Sequence, residues 1–557
     1  MTGVDEWLAA FRPRLMHTYL DDTVAAHPDR PAIDFMGRCW TWGQVGADVE
    51  KATAGFRSLG VKPGVRVGIC LPNTPYYTIC YYAVLRAGGT VVNFSPLMAE
   101  QELIRQAEDA EIRILVTIDL KDLFDKAAAA HAEDVIETIV VCPLADALPA
   151  MKRMMFGLFK GGERAHVPDD PAYVHYPDLM ARGGDTSPVE ADPEELIALI
   201  QYTGGTTGIP KGAMLSHRNL SANMEQVRVL VGAAALGAER MVCVLPFFHV
   251  FAMTAEQNLC VLIGAEMVLL PKFELRELVR TFGRTKPTLF IGVPTLFAAL
   301  NNARNVGSDD LTSLKVCLSG GAPLPADVRE RFESLATCVL VEGYGLTEAS
   351  PVVCCTPITG PVKAGSIGPP LAGTRVEIRD MEDFDRVMPT GEKGEIVVKG
   401  PQVMQGYWKV PDETAEVLHG DWLRTGDIGH MDEDGYVYLV DRIKDIIITS
   451  GYNVYPRKIE EAIGQHPAVD EVTVIGVADA YRGQVPKAFV KLYDGEKLTE
   501  LALMEFLSDR LSRLETPRTV EFRKELPKTL VGKLSKKELQ AEEAKSAAAA
   551  EAGAAEG

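Results

Sequence analysis

Apolar and β-branched positions recur along this chain in short runs, separated by segments of helical length. From Val65 the order is VRVGIC, TPYYTICYYAVLRAGG, TVVNF, a Glu-rich amphipathic stretch and ILVTI. That alternation predicts βαβ units and a parallel sheet. A second series runs through LIALIQYT, a helix beginning near Asn219, MVCVLPF, EMVLLP, TLFIGV and LKVCLSG, and predicts a second, similar α/β half. After Gly365 the texture changes to short strands and Gly-rich turns, as in TRVEIRD, GEIVVKG and GYVYLVDR, which predicts a small β-rich subdomain. Beyond Asp441 the pattern reads strand, helix (Pro456 to Gly464), strand (EVTVIGV), strand (KAFVKLY) and helix (LTELALMEFLSDRL). The expected fold class is therefore α/β, with the small β-rich subdomain completing an N-terminal domain over 1–441. A small, mobile α+β domain is expected over 442–540, and the Ala/Glu-rich 541–557 reads as a frayed helix or disordered tail.

Composition narrows the class. The 557 residues carry a net charge of −20 and are 47% hydrophobic, which fits a large, acidic enzyme better than a single binding module. An acidic balance argues against nucleic acid as a partner, because phosphate neutralisation needs a basic face. The ten cysteines show no C-x-x-C pair and no ligand spacing with histidine, so neither zinc nor a disulfide framework is indicated and a reducing cytoplasm fits. The N-terminal residues lack the apolar core of a secretory signal. Met241 to Met253 is too short to span a bilayer and contains Pro246 and His249, so it reads as a buried strand and loop.

The densest chemical signal is Tyr202 to Gly212, with Thr203, Gly204, Gly205, Thr206, Thr207, Gly208 and Lys211 between an apolar strand and a helix-like segment. Glycines let backbone N–H groups turn inward, hydroxyls add donors and the lysine adds charge, a composition suited to polyphosphate. The Walker A spacing is missing, since Lys211 is followed by Gly212. A second cluster follows the apolar run TCVLV: Glu342, Gly343, Tyr344, Gly345, Leu346, Thr347 and Glu348. At the C-terminal end of a strand, Tyr344 could stack on a base, Thr347 could donate to a phosphate and Glu348 could hold Mg²⁺. Taken alone, such an acidic turn is more often only a turn.

With these residues the chain resembles the adenylate-forming superfamily of acyl-CoA synthetases, luciferases and nonribosomal adenylation domains, and the likeness runs over most of its length. YTGGTTGIPKGAMLSH is similar to that family's phosphate loop, SGGAPL (Gly320, Gly321, Ala322 and Pro323 within it) and EGYGLTE to its adenine and Mg²⁺ motifs, and LRTGDIG to its ribose motif at Asp427. DRIKDIIITSGYNVYP resembles the hinge motif and PKTLVGKLSKKEL the catalytic-lysine motif. The segments around LDDTVAAHPDRPAIDF, LPFFHVFAMT and SGYNVYPRKIEEAI are similar to bacterial medium- and long-chain fatty acyl-CoA synthetases. Ser450 stands where aryl-CoA ligases and luciferases typically carry lysine, and no insertion of the kind usual in fatty acyl-AMP ligases separates Asp427 from Arg442.

The resemblance implies ATP, Mg²⁺ and CoA, an acyl-AMP intermediate and a thioester product. It implies that Lys533 bridges carboxylate and α-phosphate, against its plain reading as a solvated lysine in the run Lys533 to Lys537. Asp427 and Arg442 would meet the ribose, Lys444 would be the hinge, and the Gly451 region would serve thioester formation. Phe248, His249, Val293 and Pro294 would line an acyl channel, although a lone histidine in an apolar run is more often a satisfied core residue. An acid of another class, aromatic or dicarboxylic, and an adenylate-fold binding protein without turnover remain the alternatives. Met151 to Lys160 mixes large apolar residues with cations, the composition of a helix at a membrane interface, and packing against the protein body suits it equally. A weak peripheral position on the inner face of the membrane and a homodimer stay open.

Overall fold

The computed structural model describes residues 3–203, 210–232, 238–303, 311–450, 452–479, 481–528 and 534–555, with the side chains of 547–555 left aside. Its contacts divide the chain into two units, one of 1–376 with 398–423 and the other of 377–397 with 424–557.

The first unit holds two eight-stranded sheets. One is ordered Gly406–Tyr407, Lys211–Ser216, Ile197–Thr203, Thr90–Asn93, Arg66–Ile69, Ile114–Ile118, Thr138–Cys142, Tyr173–His175. Its strands from Ile197–Thr203 to Tyr173–His175 run parallel, as the βαβ rhythm predicts. The other is ordered Val352–Cys355, Val339–Gly345, Val316–Gly320, Leu289–Gly292, Arg240–Cys243, Glu266–Leu269, Pro31–Phe35, Arg38–Thr41.

One assignment of strand to half differs from the sequence expectation. Ile197–Thr203, read as the opening of the second series, pairs with Thr90–Asn93 in the first sheet. Pro31–Phe35 pairs in parallel with Glu266–Leu269 in the second, Ile33 facing Met267. Local periodicity identifies a strand, but its neighbours are chosen by long-range packing, which no local pattern encodes.

Between strands, the helices start where their side chains allow. Trp42–Ser58 begins with a reciprocal cap, Gln44 N donating to Thr41 Oγ1 (3.2 Å) and Thr41 N to Gln44 Oε1 (2.9 Å). Pro75–Arg86 opens on a proline, whose missing N–H costs nothing there, and every one of its residues is buried. A helix apolar all round is an interior helix.

The boundary between the units falls inside strands of a five-stranded sheet: Arg375–Arg379, Gly394–Lys399, Trp422–Met431, Leu418–His419, with Val437–Arg442 also on Trp422–Met431. The second unit also contains a five-stranded sheet of its own, in which Val469–Asp479 and Gly483–Leu492 form a long antiparallel pair and Thr519–Phe522 adds in parallel. Helices Pro456–Gly464 and Glu500–Leu507 bury Ile459, Ile463, Leu503 and Leu507 against it. The Ala/Glu-rich stretch continues the helix Lys536–Ala555.

Candidate active site

In the second sheet of the first unit, the strands Arg240–Cys243, Leu289–Gly292, Val316–Gly320 and Val339–Gly345 are parallel neighbours in that order. Their C-terminal ends lead in turn to Phe248 and His249, to Val293 and Pro294, to Gly320 through Pro323, and to Glu342 through Glu348. At about 4.8 Å per strand these segments span about 14 Å along one edge, the place where open α/β sheets receive ligands. Residues dispersed over a hundred positions are gathered by register alone: Ser319 faces Glu342 and Gly320 faces Gly343.

Close approach explains the glycines here. A Cβ on Gly345 would lie 2.0 Å from the Pro351 carbonyl oxygen, and one on Gly320 would lie 2.6 Å from the ring of Phe251. The second contact sets the FHVFA segment directly against the SGGAPL segment. Leu324 N donates to Glu342 Oε1 (3.2 Å), and Glu342 is tied to Thr356 through both backbone groups, so the strand end is braced from two sides.

Of the phosphate loop, Gly204, Gly205, Thr206, Thr207 and Gly208 lie outside the described residues. The flanks correct the expected strand–loop–helix. Thr203 faces Lys211 across an antiparallel hairpin, and Lys211–Ser216 continues as a strand until Ser216 caps His217–Val231. At about 3.4 Å per residue that helix starts about 20 Å along the strand from Lys211. On that strand a Cβ at Gly212 would lie 2.7 Å from the Ile200 side chain, so the position is closed to any larger residue.

Lys211 and Glu348 come together through a residue absent from the sequence expectation. The short strand Gly406–Tyr407 pairs with Lys211–Ser216, and the Tyr407 hydroxyl donates to Glu348 Oε1 (2.8 Å). Lys211 Nζ lies 5.4 Å from the Tyr407 ring centroid and is ion-paired with Glu413. Burial, and then the neighbouring Glu348 carboxylate, push the Tyr407 phenol well above its ordinary range, so it stays a donor. That hydrogen bond occupies one oxygen of Glu348, and a carboxylate has a second for a hard cation. The donor set thus fits Mg²⁺.

The segment leading to Phe248 and His249 is held from the other sheet. Asn73 Oδ1 accepts from Phe247 N (2.8 Å), while its amide donates to the carbonyls of Leu245 (2.7 Å) and Cys243 (3.3 Å). The Tyr77 hydroxyl sits 2.8 Å from both Phe247 O and Asn93 Oδ1, and Asn93 Nδ2 donates to Gln201 Oε1 (3.1 Å). Gln201 lies two positions before Thr203, so this seam links the Thr203–Lys211 hairpin to the Phe248 loop. His249 is half-buried and accepts from Phe251 N through Nδ1 (3.4 Å). Phe248 and Val293 are each 9% exposed, apolar walls at adjacent strand ends. Beyond His249, a π-helical segment Met253–Asn258 buries Glu256 completely, and desolvation drives its carboxyl far above the usual range, so it is protonated.

In the second unit, Asp427 faces Arg442 across antiparallel strands and pairs with it at 3.0 Å, Asp427 being buried and Arg442 exposed. Lys444 sits in the 3₁₀ turn Ile443–Asp445 that follows. Asp441 accepts from Arg457 N and Arg442 N (2.8 Å each), anchoring this turn to the start of Pro456–Gly464. Lys533 and Gly451 lie outside the described residues. Around Lys533, Lys528 and Leu534 form an antiparallel bridge. Within the basic run, Lys536 is not a solvated cation: it pairs with Glu460 at 2.9 Å, and Glu460 and Asp441 hold its charge on against burial.

Comparison with known proteins agrees with these motifs. Residues 20–408 match the AMP-binding enzyme family and residues 458–533 the AMP-binding enzyme C-terminal domain. A long-chain-fatty-acid–CoA ligase of Bacillus subtilis is 43% identical over 557 residues, covering 98% of this chain and 99% of its own. A feruloyl-CoA synthase of Amycolatopsis is 35% identical, covering 92% of this chain and 96% of its own. ATP-bound MatB from Rhodopseudomonas palustris superposes with a TM-score of 0.83 at 28% identity, over 95% of this chain and 98% of that one. The chain belongs to the AMP-binding enzyme family.

Proposed function

We propose that this protein is an ATP-dependent acid–thiol ligase whose substrate is a medium- or long-chain fatty acid and whose acceptor is CoA. The likeness to relatives named long-chain-fatty-acid–CoA ligase supports the substrate class. The observation that carries the adenylating chemistry is the convergence of Lys211, Tyr407 and Glu348.

A carboxylate is a poor acyl donor because its leaving group would be oxide. In the first half-reaction a carboxylate oxygen bonds to the α-phosphorus of ATP and the bond to pyrophosphate breaks. In the second, the CoA sulfur bonds to the acyl carbon, AMP departs and the thiol proton goes to solvent. Two anions must meet in the first step, so cationic groups matter most there. Lys211 and the Thr203–Gly208 loop are assigned to the phosphates, Gly320 to Pro323 and Tyr344 to the base, and Thr347 to a phosphate oxygen. Asp427 and Arg442 are assigned to the ribose, with the carboxylate accepting from its diol. Glu348 would hold Mg²⁺, which screens phosphate charge when bound. Lys533 is assigned to the carboxylate and α-phosphate, with Lys444 as the hinge and Gly451 at the thiol approach, so that the functional division falls at 441/442. Phe248, His249, Val293 and Pro294 would form the acyl wall.

The likeness to a feruloyl-CoA synthase favours an aromatic acid as the second reading. Pyrophosphate release across a panel of fatty, aromatic and dicarboxylic acids, with and without CoA, tests both. Turnover confined to aromatic acids would replace the fatty-acid reading, and no release with any acid would leave a binding protein. Among the described residues no helix is long and apolar enough to cross a membrane.

A further inference from the structure

The helix Ala150–Phe159 inverts the usual arrangement of an amphipathic element. At about 100° per residue, Met154, Leu158, Met151, Met155 and Phe159 fall in sequence around an arc of about 140°. All five are exposed, Met151, Leu158 and Phe159 at 72%, 71% and 79%. The partly covered residues are Lys152 and Phe156, which share the neighbouring side. The helix buries no residue at all. Its apolar arc is thus turned to the outside, so packing against the body, one of two readings open from sequence, is not what this segment does.

Contiguous exposed apolar surface of this kind marks a partner, and the surrounding charge says which. The chain carries −20 overall, yet no acid occurs between Asp146 and Glu163, where Lys152, Arg153 and Lys160 flank the arc. Arg153 pairs with Asp146 (2.8 Å) and Lys160 with Glu163 (3.1 Å), both on the surface. Exposed pairs of that type contribute little and exchange readily for another anion. The unbranched Met side chains adapt to a fluid surface, and their flanking cations suit anionic headgroups.

We propose that Ala150–Phe159 is a membrane-interface helix that lays Met151, Met154, Met155, Leu158 and Phe159 into the surface of an anionic bilayer. Its purpose, though not the binding itself, rests on the fatty-acid reading above: a long-chain acid dissolves in the bilayer, and docking there brings the ligase to its substrate.

Flotation of the full-length protein with vesicles of phosphatidylglycerol and phosphatidylcholine tests the surface without turnover. The parent protein is expected to float with the mixed vesicles, less with phosphatidylcholine alone, and less as salt rises from about 50 to 500 mM. The double variant Leu158→Ser/Phe159→Ser should lose partitioning at least about ten-fold, with an unchanged thermal midpoint and unchanged turnover of a short, water-soluble acid. Its KM for a long-chain acid delivered in vesicles should rise. Parent protein that stays with the soluble fraction, or a double variant that floats like the parent, would overturn the proposal. So would a parent dimer that the double variant dissociates, since the arc would then be covered by a second copy. Flotation that persists while the acid panel turns over only aromatic acids would remove the purpose and leave the surface.

Discussion

Two regions of the first unit hold polar groups by opposite means. At the strand ends, Lys211, Glu413 and Glu348 are ions, partnered by one another or by Tyr407 at the edge of solvent. Behind them, Asn73, Tyr77, Asn93 and Gln201 are buried and neutral, joined with Thr78–Gln257 and Tyr82–Asn258 hydrogen bonds at 2.8 Å. Neutral hydrogen bonds survive burial at small net cost, whereas a buried ion is expensive unless fully paired. The difference teaches a division of labour: charges are kept where a substrate can displace their partners, and the frame that aims them is built from groups that carry none.

The largest test separates the two by readout. Lys211→Ala or Glu348→Gln should cost about 10²-fold or more in pyrophosphate formation while leaving the thermal midpoint nearly unmoved. A large fall in melting temperature would make these ions structural and erase the contrast. Glu256→Gln probes the buried side. Its carboxyl is held protonated by burial in the folded protein and ionises near about 4.3 once unfolded. Above that pH the unfolded chain releases a proton that the folded one keeps, so stability contributed by the parent residue falls as pH rises. The melting temperature of the glutamine variant relative to the parent should therefore climb between pH 4 and pH 8, and a flat difference would show that Glu256 is ionised in place.

Tyr77→Phe removes the hydroxyl between Phe247 O and Asn93 Oδ1. The acceptor that loses its donor should cost about 1–3 kcal/mol, read by denaturant unfolding, with a raised KM for the acid as the Phe248 loop loosens. Smallest in effect is Glu413→Gln. With its counter-ion neutral, Lys211 should meet phosphate with less competition, lowering the KM for ATP a few-fold at unchanged melting temperature. A raised KM would mean that Glu413 orients Lys211 instead of competing for it.

Much of the fold was readable because strand and helix periods are local: VRVGIC, ILVTI and TLFIGV each form the expected strand. The site was readable where its chemistry is concentrated in a few adjacent residues, as in EGYGLTE. Tyr407 and Glu413 escaped because GYWKVPDET carries no phosphate-binding composition, and their importance arises only when Gly406–Tyr407 pairs beside Lys211. The strand Lys211–Ser216 between the loop and the helix near Asn219 was missed because Gly212 signals a loop as readily as close packing, and the pairing with Tyr202 that decides between them is not written in the composition of the segment. Lys536 looked like one more surface lysine until Glu460 and Asp441 surrounded it.

The pairing of Ile33 with Met267 also sets an order of events during synthesis. The hairpin Pro31–Thr41 leaves the ribosome early, but its sheet neighbour is made about 230 residues later, a wait of about ten to fifty seconds at 5–20 residues per second. Ala32, Ile33 and Phe35, fully buried at the end, lack that sheet neighbour throughout the interval. The first β-structure translated thus waits for a neighbour made midway through the chain, and a nascent chain arrested before Glu266–Leu269 carries a sticky, unmated edge that invites chaperones or aggregation.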